Sequence, residues 1–286
     1  MKSVRRTTHH PTTPTIATAS ASGHTWYSRP ASFNTHTQHY LNYHSVKRHP
    51  VMTSNAAVIG CTGLVGHQIL KTLLEIDACE TVSTISRRAP KTESSPKLNA
   101  AIEADTTKWA SRFAALSPIP KTVYSALGTT RAAAGGIQNQ WKIDHDLNVE
   151  LAKAAHAAGT ETFVFVSSAG TRGLLGNVAP YSKMKIGVED TIKSLDFKQA
   201  IILRPGLLMG QREVAHAGGP FFESVVRGLG TYIGQGIQDK LGQDGEVVAR
   251  AAVKAAILAA DGKAPSKYWV LEQRDIARLG RDEWKA

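Results

Sequence analysis

Tyr181 and Lys185 are four residues apart in the segment YSKMK, so on a helix their side chains lie on one face. A tyrosine hydroxyl has a pKa of about 10, which makes it a poor proton carrier at neutral pH. A neighbouring ammonium group favours the phenolate and lowers that pKa. Ser168, which ends an apolar strand-like run thirteen residues before Tyr181, adds a hydroxyl that can orient a substrate oxygen. Such a set can exchange a proton with a carbonyl or alcohol while a nicotinamide moves hydride.

A glycine-rich segment upstream is suited to binding the diphosphate of such a cofactor. Residues 56–66 read as a short buried strand, a G-x-x-G-x-x-G turn and the start of an amphipathic helix. Glycines let the backbone turn tightly and approach phosphates, and the helix N-terminus attracts the anion. Glycine turns and Tyr-x-x-x-Lys spacings each occur without function, but their combination in this order favours the functional interpretation. The predicted cofactor contacts here are Gly60, Thr62, Gly63, Leu64, Val65 and Gly66.

The second strand-like run ends in Arg87 and Arg88, with no Asp or Glu directly after it. In dinucleotide-binding folds, an acidic residue there binds the adenosine 2′-hydroxyl of NAD, whereas an arginine accommodates the 2′-phosphate of NADP. A guanidinium group stays charged and matches phosphate geometry. The alternative is an ordinary solvated basic loop. We favour NADP because of the position of the pair.

Further contacts are expected after the other strands. Asp105 follows the third strand, where it could meet the adenine amino group or cap a helix beginning near Thr107. Small residues after the fourth strand allow close approach of backbone to cofactor, although they are also ordinary in such loops. Lys185 should reach the ribose hydroxyls. The remaining predicted contacts are Ala126, Leu127, Gly128 and Ser167.

Strand-like and helix-like runs alternate from residue 56 onward, which indicates βαβ units and a doubly wound parallel sheet of the Rossmann type. We predict one α/β domain over residues 53–286, with small C-terminal insertions on the substrate side within Leu207–Gly245. The predicted strands are Ala56–Gly60, Thr81–Ser86, Leu98–Ile102, Thr122–Ala126, Thr162–Ser167, Ala200–Leu203 and Tyr268–Leu271. The predicted helices are Val65–Leu74, Gln138–Ala158, Ser182–Leu195 and Val247–Ala260.

These pieces together resemble an atypical short-chain dehydrogenase/reductase. More narrowly, the chain is similar to the fungal "found in mitochondrial proteome" fifty-two family and its animal relative, the Tat-interactive oxidoreductase-like family. The resemblance covers residues 56 to about 280 and is carried by AAVIGCTGLVG, YSALGTTR, LAKAAHAAGTETFVFVSSAG, YSKMK and ILRPGLLMGQRE.

That resemblance implies an NADP-binding Rossmann domain attached peripherally to the mitochondrial outer membrane, with a cytoplasmic location as the alternative. It implies that Arg204, Pro205 and Gly206 turn towards the nicotinamide. It also places Asn148 near the assisting asparagine of classical members, although the register of that helix leaves this open.

Residues 1–51 differ in composition from the rest of the chain. They contain six of the lysines and arginines, seven of the eleven histidines and no acidic residue, within a chain of net charge +11. We predict a disordered basic extension, either transit-like or not part of the mature protein. The domain should therefore fold and bind cofactor without it. With this segment set aside, no dense basic run remains to indicate nucleic-acid binding.

Other classes of site are not indicated. Cys61 and Cys79 have no paired spacing, so we expect neither a disulfide framework nor a metal site, and a reducing compartment is the natural interpretation. No run of 18 apolar residues predicts a transmembrane helix. Two functions stay open: an NADP-dependent oxidoreductase acting on an unidentified carbonyl or alcohol, or a non-catalytic NADP-binding regulatory or sensor protein. The intact Ser168, Tyr181 and Lys185 set favours the enzyme.

Overall fold

The structure is a computed structural model that describes residues 54–173, 178–209 and 242–285. Seven strands form a parallel sheet in the order β3-β2-β1-β4-β5-β6-β9. Two further strands, β7 and β8, form a short parallel pair of their own. The strands are β1 (Ser54–Ile59), β2 (Cys79–Ser86), β3 (Leu98–Ile102), β4 (Thr122–Ser125), β5 (Thr162–Val166), β6 (Gln199–Leu203), β7 (Leu207–Met209), β8 (Gly242–Asp244) and β9 (Tyr268–Leu271).

Helices connect the strands and cover both faces of the sheet. They are α1 (Leu64–Glu75), α2 (Trp109–Ala114) after a 3-10 turn (Thr106–Lys108), α3 (Ile137–Trp141), α4 (Asn148–Ala157), α5 (Pro180–Ser194), α6 (Gly245–Ala260) and α7 (Gln273–Ala277). Two π-helical segments, Lys142–Leu147 and Arg278–Asp282, continue α3 and α7.

Two apolar cores, one on each face, hold these layers together. Strand β5, Thr-Phe-Val-Phe-Val, is buried on both faces, as a central parallel strand must be. Phe163 and Phe165 pack towards α2, α4 and α5. Val164 and Val166 join the core beneath α1 and α6. Burial of each such side chain contributes roughly 1.5–3 kcal/mol.

The predicted doubly wound parallel sheet is confirmed, and each predicted strand and helix overlaps an observed one. One difference lies at Gln138–Ala158, where the predicted single helix is α3, a π-helical segment and α4 in succession. Strands β7 and β8 and helix α7 are not among the predicted elements, because each is too short to show a clear periodicity. The helix expected near Thr107 is the 3-10 turn followed by α2. The N-terminal extension, residues 1–51, and most of the substrate-side region, residues 210–241, lie outside the described residues.

The strand order reverses at β1. The chain moves outward through β2 and β3, then returns to place β4 on the other side of β1. In open parallel sheets of this kind, the crevice at the carboxyl ends of the strands beside such a reversal is where dinucleotides bind. The glycine turn after β1 and the small residues after β4 therefore meet at this crevice.

Candidate functional site

The glycine turn after β1 is packed too tightly to accept side chains at two of its positions. Gly60 has a positive φ of 86°, and a Cβ atom there would lie 2.7 Å from the carbonyl oxygen of Ala126. A Cβ atom on Gly66 would lie 2.1 Å from the carbonyl oxygen of Gly60. The N–H of Gly63 donates to that same oxygen at 2.9 Å. Glycine is thus required for α1 and the end of β4 to close on the turn.

The N-terminus of α1 is open to an anion. Gly63 is its N-cap, no side chain caps it, and its first turn carries no acidic residue. Gly63 is exposed, Thr62 and Leu64 are half-buried, and Val65 is buried. Amide groups and a positive dipole end without a protein carboxylate suit a diphosphate. The turn therefore fits the diphosphate of a dinucleotide, as its sequence predicts.

Arg87 and Arg88 are exposed directly after β2, beside this turn in the fold. The hydroxyl of Ser86 donates to the carbonyl oxygen of Arg88 at 2.7 Å, which fixes the course of the backbone after the strand. Their position at the carboxyl end of β2 is the one from which an adenosine 2′-phosphate is bound in this fold.

Asp105 has the capping role that the sequence left open. Its carboxylate accepts from the backbone N–H of Thr107 at 3.0 Å and from the hydroxyl of Thr107 at 2.6 Å, and so caps the 3-10 turn. The hydrogen bonds from Thr107 hold the pKa of Asp105 below its ordinary value. A contact with adenine stays a prediction.

Lys185 and Ser168 are both found at the carboxyl end of β5. Lys185 is buried on α5, and its ammonium group donates to the carbonyl oxygen of Val166 at 3.2 Å and lies 4.9 Å from the ring centroid of Phe165. Ser168 follows Val166 by two residues and is half-buried. Tyr181, one turn before Lys185, is 40% exposed and so can meet a substrate.

A buried carboxylate that the sequence analysis did not single out lies one turn further along α5. Glu189 is fully buried and accepts hydrogen bonds from the hydroxyl of Ser167 at 2.6 Å, from Arg172 at 3.1 Å, and from Arg204 at 2.7 and 3.2 Å. Burial raises its pKa, but the hydrogen bonds from Arg204, Ser167 and Arg172 outweigh burial and leave it below its ordinary value. Its spacing of four from Lys185 was the available sequence signal.

Two predicted cofactor residues, Ser167 and Arg204, therefore use their side chains to bind Glu189. Arg204 also donates to Glu272 at 3.0 Å. Backbone groups connect the same strand ends: the N–H of Ala169 donates to the carbonyl oxygen of Pro205 at 2.8 Å. The N–H of Gly206 is bound by the side chain of buried Gln243. Contact between the cofactor and the Arg-Pro-Gly segment stays a prediction. Because the side chain of Arg204 is bound to Glu189 and Glu272, we expect backbone atoms of the segment to make that contact.

Asn148 links β4 to α4. Its amide oxygen accepts from the hydroxyl of Ser125 at 2.7 Å, and its amide nitrogen contacts the carbonyl oxygens of Ile143, Asp144 and Leu127 at 3.1 to 3.4 Å. The residue is buried. Its amide thus supports the end of β4, and a direct part in chemistry stays a prediction.

Asp144 is a second buried carboxylate that the sequence analysis did not name. It lies in the π-helical segment, accepts from the backbone N–H of Thr129 at 2.6 Å and from the side chain of Gln140 at 3.1 Å, and is fully buried. A Cβ atom on Gly128 would lie 3.4 Å from Asp144 Oδ1 and 3.8 Å from Lys185 Nζ. The structure therefore brings Gly128, Lys185 and Asp144 together beside the crevice.

Two other features, a metal-binding cluster and a membrane-spanning helix, are absent from the described residues. In the described ranges, no three His, Cys, Asp or Glu side chains are grouped so that they could hold a metal ion. None of the helices described is both long enough and apolar enough to cross a membrane.

A parallel sheet with a glycine turn at its point of reversal and a Tyr-x-x-x-Lys helix after β5 defines a dinucleotide-binding protein of the short-chain dehydrogenase/reductase superfamily. The chain belongs to the NAD dependent epimerase/dehydratase family, whose model matches residues 56–248. It is 63% identical over 234 residues to "Protein FMP52, mitochondrial" of Chaetomium globosum, covering 82% of this chain and 100% of that protein. It is 59% identical over 235 residues to "Protein fmp-52, mitochondrial" of Neurospora crassa, covering 81% and 97%.

Solved structures show the same fold at low sequence identity. The Bordetella bronchiseptica enzyme WbmF in complex with NADH aligns with a TM-score of 0.58 at 16% identity, covering 79% of this chain and 73% of that one. MoeE5 in complex with UDP-glucose and NAD aligns with a TM-score of 0.55 at 15% identity, covering 80% and 81%. Family membership and the geometry of the turn together support a nicotinamide dinucleotide as cofactor.

Proposed function

We propose that this protein is an NADP-dependent oxidoreductase that acts on a carbonyl or alcohol through Ser168, Tyr181 and Lys185. The observation that carries the proposal is the placement of Lys185. Its buried ammonium group donates to the carbonyl oxygen of Val166 at the carboxyl end of β5, two residues before Ser168, and Tyr181 is exposed one turn earlier on the same helix. These positions support a proposal in which Tyr181, Lys185 and Ser168 act together at the carboxyl edge of the sheet.

Each side chain has a distinct task in this proposal. Tyr181 gives a proton to the substrate oxygen or takes one from it. Lys185 stabilises the phenolate of Tyr181 and holds the ribose of the cofactor, and Ser168 orients the substrate oxygen. The glycine turn and the N-terminus of α1 hold the diphosphate. The nicotinamide of the bound cofactor supplies or accepts the hydride.

The preference for NADP over NAD is part of the same proposal. Two arginines follow β2, where a carboxylate would favour NAD. Both arginines are exposed at the surface, where a 2′-phosphate can approach them from solvent.

The test is turnover of a panel of carbonyl substrates, followed by NADPH oxidation, with Tyr181→Phe compared with Tyr268→Phe. Tyr181→Phe removes only a hydroxyl from a half-exposed site, so melting temperature and NADPH affinity should be retained. Turnover should fall by at least ~100-fold, the scale expected for a lost acid–base group. Tyr268→Phe removes a hydroxyl from β9 and should leave turnover unchanged.

The alternative function predicts a different result. A non-catalytic NADP-binding regulatory or sensor protein has no use for the hydroxyl of Tyr181. If the protein binds NADPH but turns over no substrate, or if Tyr181→Phe turns over substrate as fast as the parent, the oxidoreductase proposal fails. The non-catalytic function then takes its place.

We further propose a mitochondrial location, with peripheral attachment to the cytosolic face of the outer membrane. The relatives from Chaetomium globosum and Neurospora crassa are named mitochondrial proteins. Subcellular fractionation should recover the protein with mitochondria, where added protease degrades it and alkaline carbonate releases it. Protection from protease in intact mitochondria would contradict the outer location.

A further inference from the structure

Gln243 is a buried amide side chain that joins three separate parts of the chain. It lies on β8, is 3% exposed, and is paired with Leu208 of β7. Its Oε1 atom accepts from the backbone N–H of Gly206 at 3.3 Å, and its Nε2 atom donates to the carbonyl oxygen of Gln273 at 2.8 Å. Because its oxygen and its nitrogen are both bound, this side chain holds the segment after β6 against the start of α7.

The peptide group between Pro205 and Gly206 is bound on both sides. Its N–H, from Gly206, donates to Gln243, and its carbonyl oxygen, from Pro205, accepts from the N–H of Ala169 at 2.8 Å. Two hydrogen bonds in opposite directions fix the plane of this peptide group. The backbone after β6 is therefore oriented by a side chain 37 residues later in the chain.

The peptide group between Ser168 and Ala169 is bound on both sides as well. Its N–H, from Ala169, is the one that donates to Pro205. Its carbonyl oxygen, from Ser168, accepts from the hydroxyl of buried Thr171 at 3.2 Å. A series of hydrogen bonds thus runs from Gln243 through two peptide groups to the backbone of Ser168.

Arg204, directly before this turn, has other partners. Its guanidinium group is bound by Glu189 and Glu272, and its backbone N–H donates to the carbonyl oxygen of Leu271 at 2.9 Å. These contacts hold Arg204 and leave the orientation of the Pro205–Gly206 peptide group to the hydrogen bonds of that group itself.

We propose that Gln243 is a positioning residue for Ser168. It fixes the peptide group of Pro205 and Gly206, which in turn holds the backbone of Ser168 where the hydroxyl meets a substrate oxygen. The inference rests on the proposed function for the role of Ser168, whereas the hydrogen bonds do not depend on it. Misplacement of a reacting group by about 1 Å costs as much as about 100-fold in rate, so loss of Gln243 lowers turnover without removing a side chain that touches substrate.

The hydrogen bonds are tested by hydrogen exchange on the full chain without cofactor or substrate. Pro205–Gly206 is the only Pro-Gly pair in the sequence, so 13C-carbonyl proline combined with 15N-glycine selects the Gly206 amide by NMR. Gln243→Met replaces the amide with an apolar side chain of similar length. Exchange of the Gly206 amide should become about tenfold faster, the scale of one lost hydrogen bond. Gln243→Glu keeps an oxygen acceptor for that N–H and should exchange more slowly than Gln243→Met.

Gln199→Met is the matched control. Gln199 begins β6 at the opposite end of the sheet, and its Nε2 atom donates to the carbonyl oxygen of Ser266 at 2.8 Å, the same kind of bond that Gln243 makes with Gln273. This variant should leave exchange of the Gly206 amide unchanged. If Gln243→Met does not fold, Gln243→Ala removes the same two bonds with a smaller side chain. Exchange as slow as in the parent, in whichever of these two variants folds, would overturn the proposal.

The positioning role is tested with the carbonyl substrate that the parent protein reduces fastest. In Gln243→Met, kcat should fall by about tenfold or more, and NADPH affinity should be retained because the glycine turn and the arginines after β2 are untouched. Gln199→Met should keep the parent kcat. In a Ser168→Ala background, Gln243→Met should cause little further loss, since the hydroxyl that it positions is already absent. An unchanged kcat, or additive losses in the double variant, would overturn the positioning role.

Failure of the proposed function gives a different result. If the parent protein turns over no substrate while the Gly206 amide exchanges faster in Gln243→Met, the oxidoreductase function fails and the hydrogen bonds from Gln243 to the backbone of Ser168 stand. If the parent turns over substrate and Gln243→Met matches it in both exchange and kcat, the oxidoreductase function stands and the role of Gln243 fails.

Discussion

The carboxylate of Glu189 accepts two hydrogen bonds from the guanidinium group of Arg204, at 2.7 and 3.2 Å. Glu189 is on α5 and Arg204 follows β6, so this ion pair joins the helix of Tyr181 and Lys185 to the carboxyl edge of the sheet. The hydroxyl of Ser167 adds the end of β5 to the same carboxylate. One buried group thus sets the relative position of three elements that border the site.

Replacing Glu189 with glutamine should destabilise the protein strongly. The change leaves the guanidinium groups of Arg172 and Arg204 without their buried counter-charge, and removing one partner of a buried pair costs about 3–5 kcal/mol. Urea denaturation should show this loss in the free energy of unfolding. Glu283→Gln is the matched control, because Glu283 pairs with Arg278 at the surface, where the cost is about 1 kcal/mol or less. Equal losses in the two variants would contradict the prediction.

The contribution of Glu189 should disappear in acid. Its pKa in the folded protein lies below the ordinary value of 4.5, so the stabilisation is fully present above that value and is lost as pH falls through the folded pKa. The difference in unfolding free energy between the parent and Glu189→Gln should therefore be constant near neutral pH and shrink below about pH 4. Denaturation curves at a series of pH values measure it. A difference that stays constant into strong acid would rule out Glu189 as its origin.

Gly66→Ala should destabilise the protein by pushing α1 away from the glycine turn. The added methyl group would lie 2.1 Å from the carbonyl oxygen of Gly60, a backbone atom that cannot move without the turn. Overpacking of this kind costs at least about 1–3 kcal/mol. Melting temperature and NADPH affinity should both fall.

Gly63→Ala is the comparison for that change. Gly63 has an ordinary φ of −90°, and its Cβ atom would lie 3.3 Å from the same oxygen, so its effect on stability should be smaller. A loss at position 63 as large as that at position 66 would argue against the close packing of α1.

Replacement of both Arg87 and Arg88 with alanine should abolish the preference for NADPH. Each charge-assisted hydrogen bond to the 2′-phosphate contributes about 1.5–3 kcal/mol, so NADPH affinity should fall by at least about tenfold. NADH affinity should be unchanged, because NADH lacks that phosphate. Calorimetric titration of both cofactors measures this, with Lys153→Ala, an exposed cation of α4, as control. Equal affinity of the parent protein for the two cofactors would refute the NADP assignment.

The features that could be predicted from the sequence are those that depend on residues close together in the chain. Alternating strand and helix signals gave the fold, and the glycine spacing gave the turn whose tight packing is now explained by Gly60 and Gly66. Asp144 and Glu189 escaped prediction because their roles depend on partners far along the chain: Thr129 and Lys185 for the first, Ser167 and Arg204 for the second. From sequence alone, a buried Asp or Glu on a helix cannot be distinguished from an exposed one, because the distinction depends on partners distant in the chain.

The π-helical segment could not be predicted from the sequence either. The sequence from Gln138 to Ala158 has the periodicity of one continuous helix. The interruption at Lys142–Leu147 accompanies tertiary hydrogen bonds, in which Asn148 binds Ser125 and the carbonyl oxygen of Leu127. Helical periodicity does not record such bonds.

The two thiols of the described chain occupy opposite ends of neighbouring strands. Cys61 follows β1 within the glycine turn and Cys79 begins β2; both are buried, and burial raises the pKa of each thiol, that of Cys79 to about 11. The thiolate is the form that attacks an alkylating reagent, so both cysteines are protected from alkylation as long as the structure stays closed. The rate at which each thiol is alkylated therefore measures local opening of the structure, at the glycine turn for Cys61 and at the opposite end of the sheet for Cys79. A bound dinucleotide should slow the alkylation of Cys61 more than that of Cys79.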